Sequence, residues 1–328
     1  MLTPWEIKKK EYLPPLLMIK MNLLGMLSLV KILLLNLGAI RVAKNQEKKN
    51  IYIRPKPTYK IPDYEQGMKY CKSDEKYLRP TLYCNCQAPE IIALANQLGA
   101  YKKSEYEFAQ AAFEFAKRKI ILEFVPLDGV VETLRRGTGT CLHKISIFIA
   151  LCRAAGIQAR YKFFALTMLD EWAQPALNNA PLMKKWYDVM GFFLLHGEGE
   201  IYVDGKWIPG DVGAEPERQA SVWLPVTKLG EDSIGIWLFP IPGTIIQRES
   251  IPLGLRLPSK VLMNRLVPNS VAGLNNGIIE QIEKGKKIIK EAGGEKAYDL
   301  LARQKRAKSM SMPKASLVEK SDKIIFEE

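Results

Sequence analysis

The chain has 328 residues, enough for one large domain or two ordinary ones, and its 47% hydrophobic and 25% charged residues mark it as globular rather than disordered. The net charge of +13 is lopsided: residues 1–60 carry 12 Lys/Arg against 3 Asp/Glu, residues 276–328 carry 12 against 9, and the stretch between is close to neutral. A nucleic-acid enzyme carries its basic surface on the folded domain, so this distribution argues against a nucleic-acid partner.

In chain order, the first element is an apolar run, residues 13–40, within an N-terminal segment taken as 1–43. Between Lys20 and Arg41 it is near the length that spans a bilayer, interrupted by Lys31. Lys20, Ser28 and Lys31 fall on one side of a helical wheel, so an anchor lying in the membrane plane fits as well. A helix packed on the domain, or an extension upstream of a later start such as Met21, is the alternative reading. If the segment spans, the basic flank after it (Arg41, Lys44, Lys48, Lys49, Arg54, Lys56) leaves the rest of the chain in the cytoplasm.

Residues 44–87 are rich in Lys, Pro and Tyr without a steady period and read as a basic linker. Cys71, Cys84 and Cys86 lie here. Cys-x-Cys with a distant third thiol could bind a metal, but no nearby histidine completes a four-ligand set, so ordinary buried or loop thiols in a reducing compartment are expected.

A folded domain is expected over 88–270. Ile91, Ile92, Leu94, Ala95 and Leu98 form an apolar helical face stopped by Gly99, and Ser104 with Glu107 predicts a capping box for a second helix. Gly137-Thr138-Gly139-Thr140-Cys141 then leads into an apolar helix ending near Ala155, which places a thiol at a helix N-terminus where partial positive charge favours the thiolate. Ile157–Leu166 predicts a strand. Phe192–Val203 and Lys206–Val212 flank Asp204-Gly205, a strong two-residue hairpin signal. Short strands and loops are expected over 220–270. A basic helical region and tail, 271–328, follows, with a helix pair from Asn276 to about Lys308 broken at Gly293-Gly294.

A cysteine nucleophile needs a base, and the base needs an orienting partner. Only two histidines are present. His143, two residues past Cys141 on one helix, points elsewhere and is a poor base, which leaves His196. If Asp204-Gly205 is a two-residue turn, Val203 faces Lys206, His196 faces Gly213, and Asp211 becomes a diagonal neighbour of His196 on the same face. The same register sets Glu198 opposite Asp211. Either a bulge at Gly197 or Gly199 shifts the pairing or one carboxylate turns away, so Glu198 is the alternative orienter.

These residues resemble the transglutaminase-like superfamily, a papain-like thiol-enzyme core. The resemblance rests on Gly139-Thr140-Cys141, on Arg153-Ala154-Ala155-Gly156-Ile157-Gln158-Ala159-Arg160, on His196-Gly197-Glu198 continuing to Gly205-Lys206-Trp207, and on Asp211. It covers about residues 88–215. It implies an α+β fold, with the nucleophile helix packed on an antiparallel sheet. It also implies Cys141 as nucleophile, His196 as base and Asp211 as orienter. The implied chemistry is acyl transfer through a thioester on a peptide or protein substrate, with no metal or organic cofactor. Hydrolysis, transfer to an amine as in protein-glutamine cross-linking, and a non-catalytic binding module that keeps the fold are all open. The sequence departs from the family where an aromatic after the base is replaced by Glu198. The Cys141 N–H is one expected oxyanion donor. Trp172, Trp186, Tyr187 and Trp207 are candidates for the substrate cleft.

Overall fold

The structure, a computed structural model, describes residues 50–168, 193–231, 238–240, 245–251 and 256–308, together with Gly38, Arg41, Val42, Leu177, Asn178, Ala180, Pro181 and Lys184. Helix α1, Pro89–Leu98, starts on a proline whose missing N–H costs nothing there, and ends at Gly99, whose φ of 101° closes the last turn. Helix α2, Glu105–Lys119, opens on the expected capping box, with Ser104 and Glu107 each satisfying the other's backbone N–H. A short parallel ladder, β1 (Ile121–Leu122) with β2 (Thr138–Gly139), brackets α3, Val130–Arg136. Helix α4, Cys141–Ala154, is buried on all sides from His143 onward, so it is the central helix of the fold.

The α4 exit explains the Arg-Ala-Ala-Gly-Ile segment. Gly156 takes a φ of 85°, and Ile157 N–H returns to the Cys152 carbonyl at 2.9 Å, reversing the chain into β3, Ala159–Met168. Arg153 is wholly buried, and its guanidinium holds the carbonyls of Ala159, Arg79 and Glu249 at 2.7–3.0 Å. This arginine ties three chain segments together.

The sheet is antiparallel, in the order β5-β4-β3-β6 with β7 also on β3; β4 is Phe193–Val203, β5 Lys206–Gly210, β6 Leu238–Pro240 and β7 Ile246–Arg248. Asp204 and Gly205 both adopt positive φ (51° and 77°), the geometry that matches strand twist in a two-residue hairpin. The predicted pairing of Val203 with Lys206 is present and runs back to Gly199 opposite Gly210. Gly199 and Gly210 are forced by close approach: a β-carbon on either would lie 2.7–2.8 Å from the Phe148 ring of α4.

Helix α5, Pro216–Ala220, follows, and then α6, Arg256–Val261, which runs into a π-helical turn at Leu262–Leu266. The C-terminal pair is α7, Pro268–Glu291, and α8, Glu295–Lys308, broken at Gly293-Gly294 as expected, although α7 starts before Asn276. It is not an appendage. Gly285 of α7 lies so close to α5 that a β-carbon there would stand 1.6 Å from the Glu217 carbonyl oxygen, and the Tyr298 hydroxyl of α8 donates to the Leu224 carbonyl at 2.7 Å.

Residues 50–87, expected as a linker, pack on the core instead. Arg54 makes a two-pronged ion pair with Glu123, Tyr59 donates to the Leu134 carbonyl at 2.6 Å, and Cys84 and Cys86 are fully buried in the main apolar cluster. The physical reason is that the lysines stay at the surface while Tyr59, Tyr83, Cys84 and Cys86 between them turn inward. The apolar stretch 13–40 lies outside the described residues apart from Gly38. Among the described residues no helix is long and apolar enough to cross a membrane.

Candidate functional site

Cys141 is the first residue of α4, so its N–H has no acceptor within the helix, as the oxyanion expectation requires. The residue before it is held firmly. Thr140 caps α4, and the His143 ring returns to it, with Nδ1 3.0 Å from the Thr140 N–H and 2.8 Å from its hydroxyl. On the other edge of the ring Nε2 lies 3.1 Å from Asp128, which is itself paired with Arg136. His143 is thus a fixed part of the helix start and is turned away from the thiol, as its spacing predicted. Gly139 is required by this arrangement, because a β-carbon there would stand 2.5 Å from the His143 β-carbon.

The hairpin brings the other two predicted residues to the same place. Gly213 is their meeting point: a β-carbon built on it would lie 3.0 Å from Asp211 Oδ1, 3.3 Å from His196 Cε1 and 3.6 Å from Cys141 Cβ. Asp211 is fully buried, and its Oδ1 accepts the Gly213 N–H at 2.8 Å. His196 is buried beside Phe164, its partner across β3, with ring centroids 5.5 Å apart.

Burial pushes the Cys141 thiol up to about 11, and the Asp211 carboxylate adds to the rise. The Leu142 and Gly197 N–H groups and the Lys144 ammonium oppose it without overcoming it. Burial also lowers His196 below its ordinary range, with Asp211 opposing.

Glu198 does not face Asp211. The β4–β5 ladder ends at Gly199 and Gly210, and no bulge at Gly197 or Gly199 is involved. Glu198 instead pairs across the other edge with Lys162 of β3, at 2.5 Å, with its own side chain fully buried. A carboxylate already matched by an ammonium ion is a poor orienter for His196. Trp207 is also not in the site. It sits by the hairpin turn, four residues before Asp211 or roughly 13 Å along the strand, under the Arg160 guanidinium at 3.8 Å and between Tyr77 and Tyr202. Trp172, Trp186 and Tyr187 lie outside the described residues. Among the described residues no group of three or more His, Cys, Asp or Glu side chains is placed to hold a metal, so Cys71, Cys84 and Cys86 form no such centre.

Three residues that sequence reasoning missed complete the surroundings: Lys117, Lys144 and Glu215. Glu215 accepts the Leu122 N–H and the Lys144 ammonium, each at 2.6 Å, with Arg218 at 3.9 Å. Lys144 carried a usable signal, being the lone lysine in an apolar helix, one turn past Cys141. The thiol-bearing residue itself is half-buried and touches two apolar clusters. One is the main core; the other holds Leu122, Leu274, Ile278, Ile282, Leu177 and Ala180.

The transglutaminase-like superfamily model matches residues 92–212. A crystal structure of a candidate cysteine protease from Cytophaga hutchinsonii is 21% identical, with a TM-score of 0.32, covering 42% of this chain and 40% of that one. The shared part therefore spans about two fifths of that protein. No match was found among curated proteins. The matched region runs from α1 to Val212, an α+β unit in which α4 packs on the antiparallel sheet, and over it the chain is similar to the transglutaminase-like superfamily.

Proposed function

We propose that the protein is a cysteine-dependent acyl-transfer enzyme that hydrolyses peptide, isopeptide or amide bonds through a thioester. The observation that supports this reading is the convergence of Cys141, His196 and Asp211 around Gly213 from α4, β4 and the turn after β5. His196 takes the thiol proton as sulfur attacks the carbonyl carbon, and Asp211 steadies the imidazolium that forms. The Cys141 N–H stabilises the oxyanion. The C–N bond breaks, the amine leaves with the proton from His196, and a thioester remains on Cys141. Water then attacks with His196 again as base, releasing the acid and restoring the thiol.

A second reading, transfer to an amine instead of water, draws support from the apolar contacts of Cys141. A site that excludes water lets an amine compete for the thioester.

The test uses p-nitrophenyl acetate at pH 7 with intact-mass and peptide-level mass spectrometry. One acetyl group on Cys141 is expected, absent in Cys141→Ala and formed at least about 100-fold more slowly in His196→Ala. Cys71, the other thiol that is not fully buried, is the internal control. Acetylation of Cys71 in preference to Cys141 would sink the assignment. Adding a primary amine then separates the two readings, because release as the amide marks transfer.

A further inference from the structure

Behind the site lies a buried linkage of two lysines. Lys144, on α4, donates to Glu215 and, at 3.1 Å, to the backbone carbonyl of Lys117 in the last turn of α2. Lys117 in turn directs its ammonium to the Asp211 carbonyl at 3.3 Å and the Thr227 hydroxyl at 2.8 Å. The nucleophile helix and the Asp211 turn are thus joined through the end of α2.

Lys117 is fully buried and, among the described residues, makes no direct ion pair. The charged groups around it are Asp211 after β5, Glu215 before α5, Lys144 on α4 and Glu114 on its own helix. An ammonium ion enclosed this way is a net cost, and an apolar side chain of the same length would pack there more favourably. Its location suggests what offsets the cost. Ladder pairing between β4 and β5 ends at Gly210, one residue before Asp211. Beyond that point the restraints on the turn bearing the carboxylate include its own bond to Gly213 and the one from Lys117.

We propose that Lys117 is a positioning residue for the triad: by holding the Asp211 carbonyl it fixes the Asp211–Gly213 turn where the carboxylate can serve His196. This rests on the assignment of Cys141, His196 and Asp211 made above. Lys117 acts through Asp211 and touches no reacting atom.

The test compares full-length Lys117→Met and Lys117→Gln with the unaltered chain, following single-turnover acetylation of Cys141 by p-nitrophenyl acetate across pH. Methionine keeps the length and removes the donor; glutamine keeps a donor and removes the charge. If Lys117 positions Asp211, methionine slows acetylation about 10- to 100-fold and moves the acid limb of the profile to lower pH, because His196 loses carboxylate support. Glutamine restores most of the rate. Loss of a nearby positive charge alone would act oppositely, moving the limb to higher pH in both variants equally, and that result overturns the proposal. So does a methionine variant with unaltered rate and limb. Near-ultraviolet circular dichroism confirms the fold of each variant. Failure of the underlying assignment is recognised separately, as absence of Cys141 acetylation in the unaltered chain.

Discussion

At the scale of the residue, the site contrasts with what a helix N-terminus alone suggests. Burial raises the Cys141 thiol and lowers His196, each shifted toward its neutral form. A pH dependence follows. His196 must be neutral to accept the proton, and burial lowers it below the ordinary histidine range, so acylation is expected to hold at full rate at pH 7. It should fall only as pH drops through that lowered value. Because Asp211 opposes the lowering, Asp211→Asn should move the acid limb further down while reducing the plateau. A stopped-flow pH profile of Cys141 acetylation reads both effects. A limb that moves up in Asp211→Asn would remove Asp211 from the assigned role.

At the scale of the element, the site depends on how helices seat against strands. Glycines 197, 199 and 210 give α4 and its neighbours a flat floor, with ring atoms of Phe163 or Phe148 where β-carbons would stand. Gly285 does the same between α7 and α5, in a tighter form. Since a β-carbon there would overlap the Glu217 carbonyl, Gly285→Ala must push α7 off α5. The Arg218–Gln281 bond at 3.1 Å and the Asn275 amide bonds to Phe124 would strain with it. Overpacking of this kind typically costs 1–3 kcal/mol, so the thermal midpoint should fall by several degrees, measurable by calorimetry. An unchanged midpoint would mean that α7 is not seated on α5. Much at this scale was readable in advance. The capping box at Ser104, the stop at Gly99, the hairpin at Asp204-Gly205 and the break at Gly293-Gly294 are local, and their chemistry depends on neighbours in sequence.

At the scale of the whole molecule, the fold buries several charges together near the site, and this shapes its stability. Burial lowers Lys117 to about 8 and lowers Lys144 as well, so both ammonium ions are disfavoured in the folded state. Below pH 8 Lys117 is charged in folded and unfolded chains alike, and its penalty is fully present. Between pH 8 and the unfolded lysine value of 10.5 the unfolded chain binds more protons, so stability rises with pH. The contribution is on the order of 3 kcal/mol for Lys117. Tyr52, Tyr59 and Tyr298 act the other way above pH 10, because burial raises each of them and only the unfolded chain ionises there. Urea unfolding of the unaltered chain and Lys117→Met, compared at pH 7 and pH 10, isolates the lysine. The gap between them should shift in favour of the unaltered chain at the higher pH; a constant gap would mean that Lys117 is not held in a costly environment.

By itself the sequence determined the local geometry and the identity of the chemical groups: where helices start and stop, the two-residue turn, and a thiol followed at motif spacing by one usable histidine and an aspartate. Those features depend on side chains competing for backbone groups a few residues away. Tertiary structure alone decided which charges meet. Glu198 was legible as a carboxylate next to the base, but whether it faced Asp211 or Lys162 depended on which strand lies at β4's other edge. Likewise Lys117 sits 94 residues from Asp211, and its hydrogen bond exists only because α2, α4 and the end of β5 close on one buried point. Long-range burial shifts Cys141 and His196 toward their neutral forms and encloses the lysines behind them, and no local pattern records it.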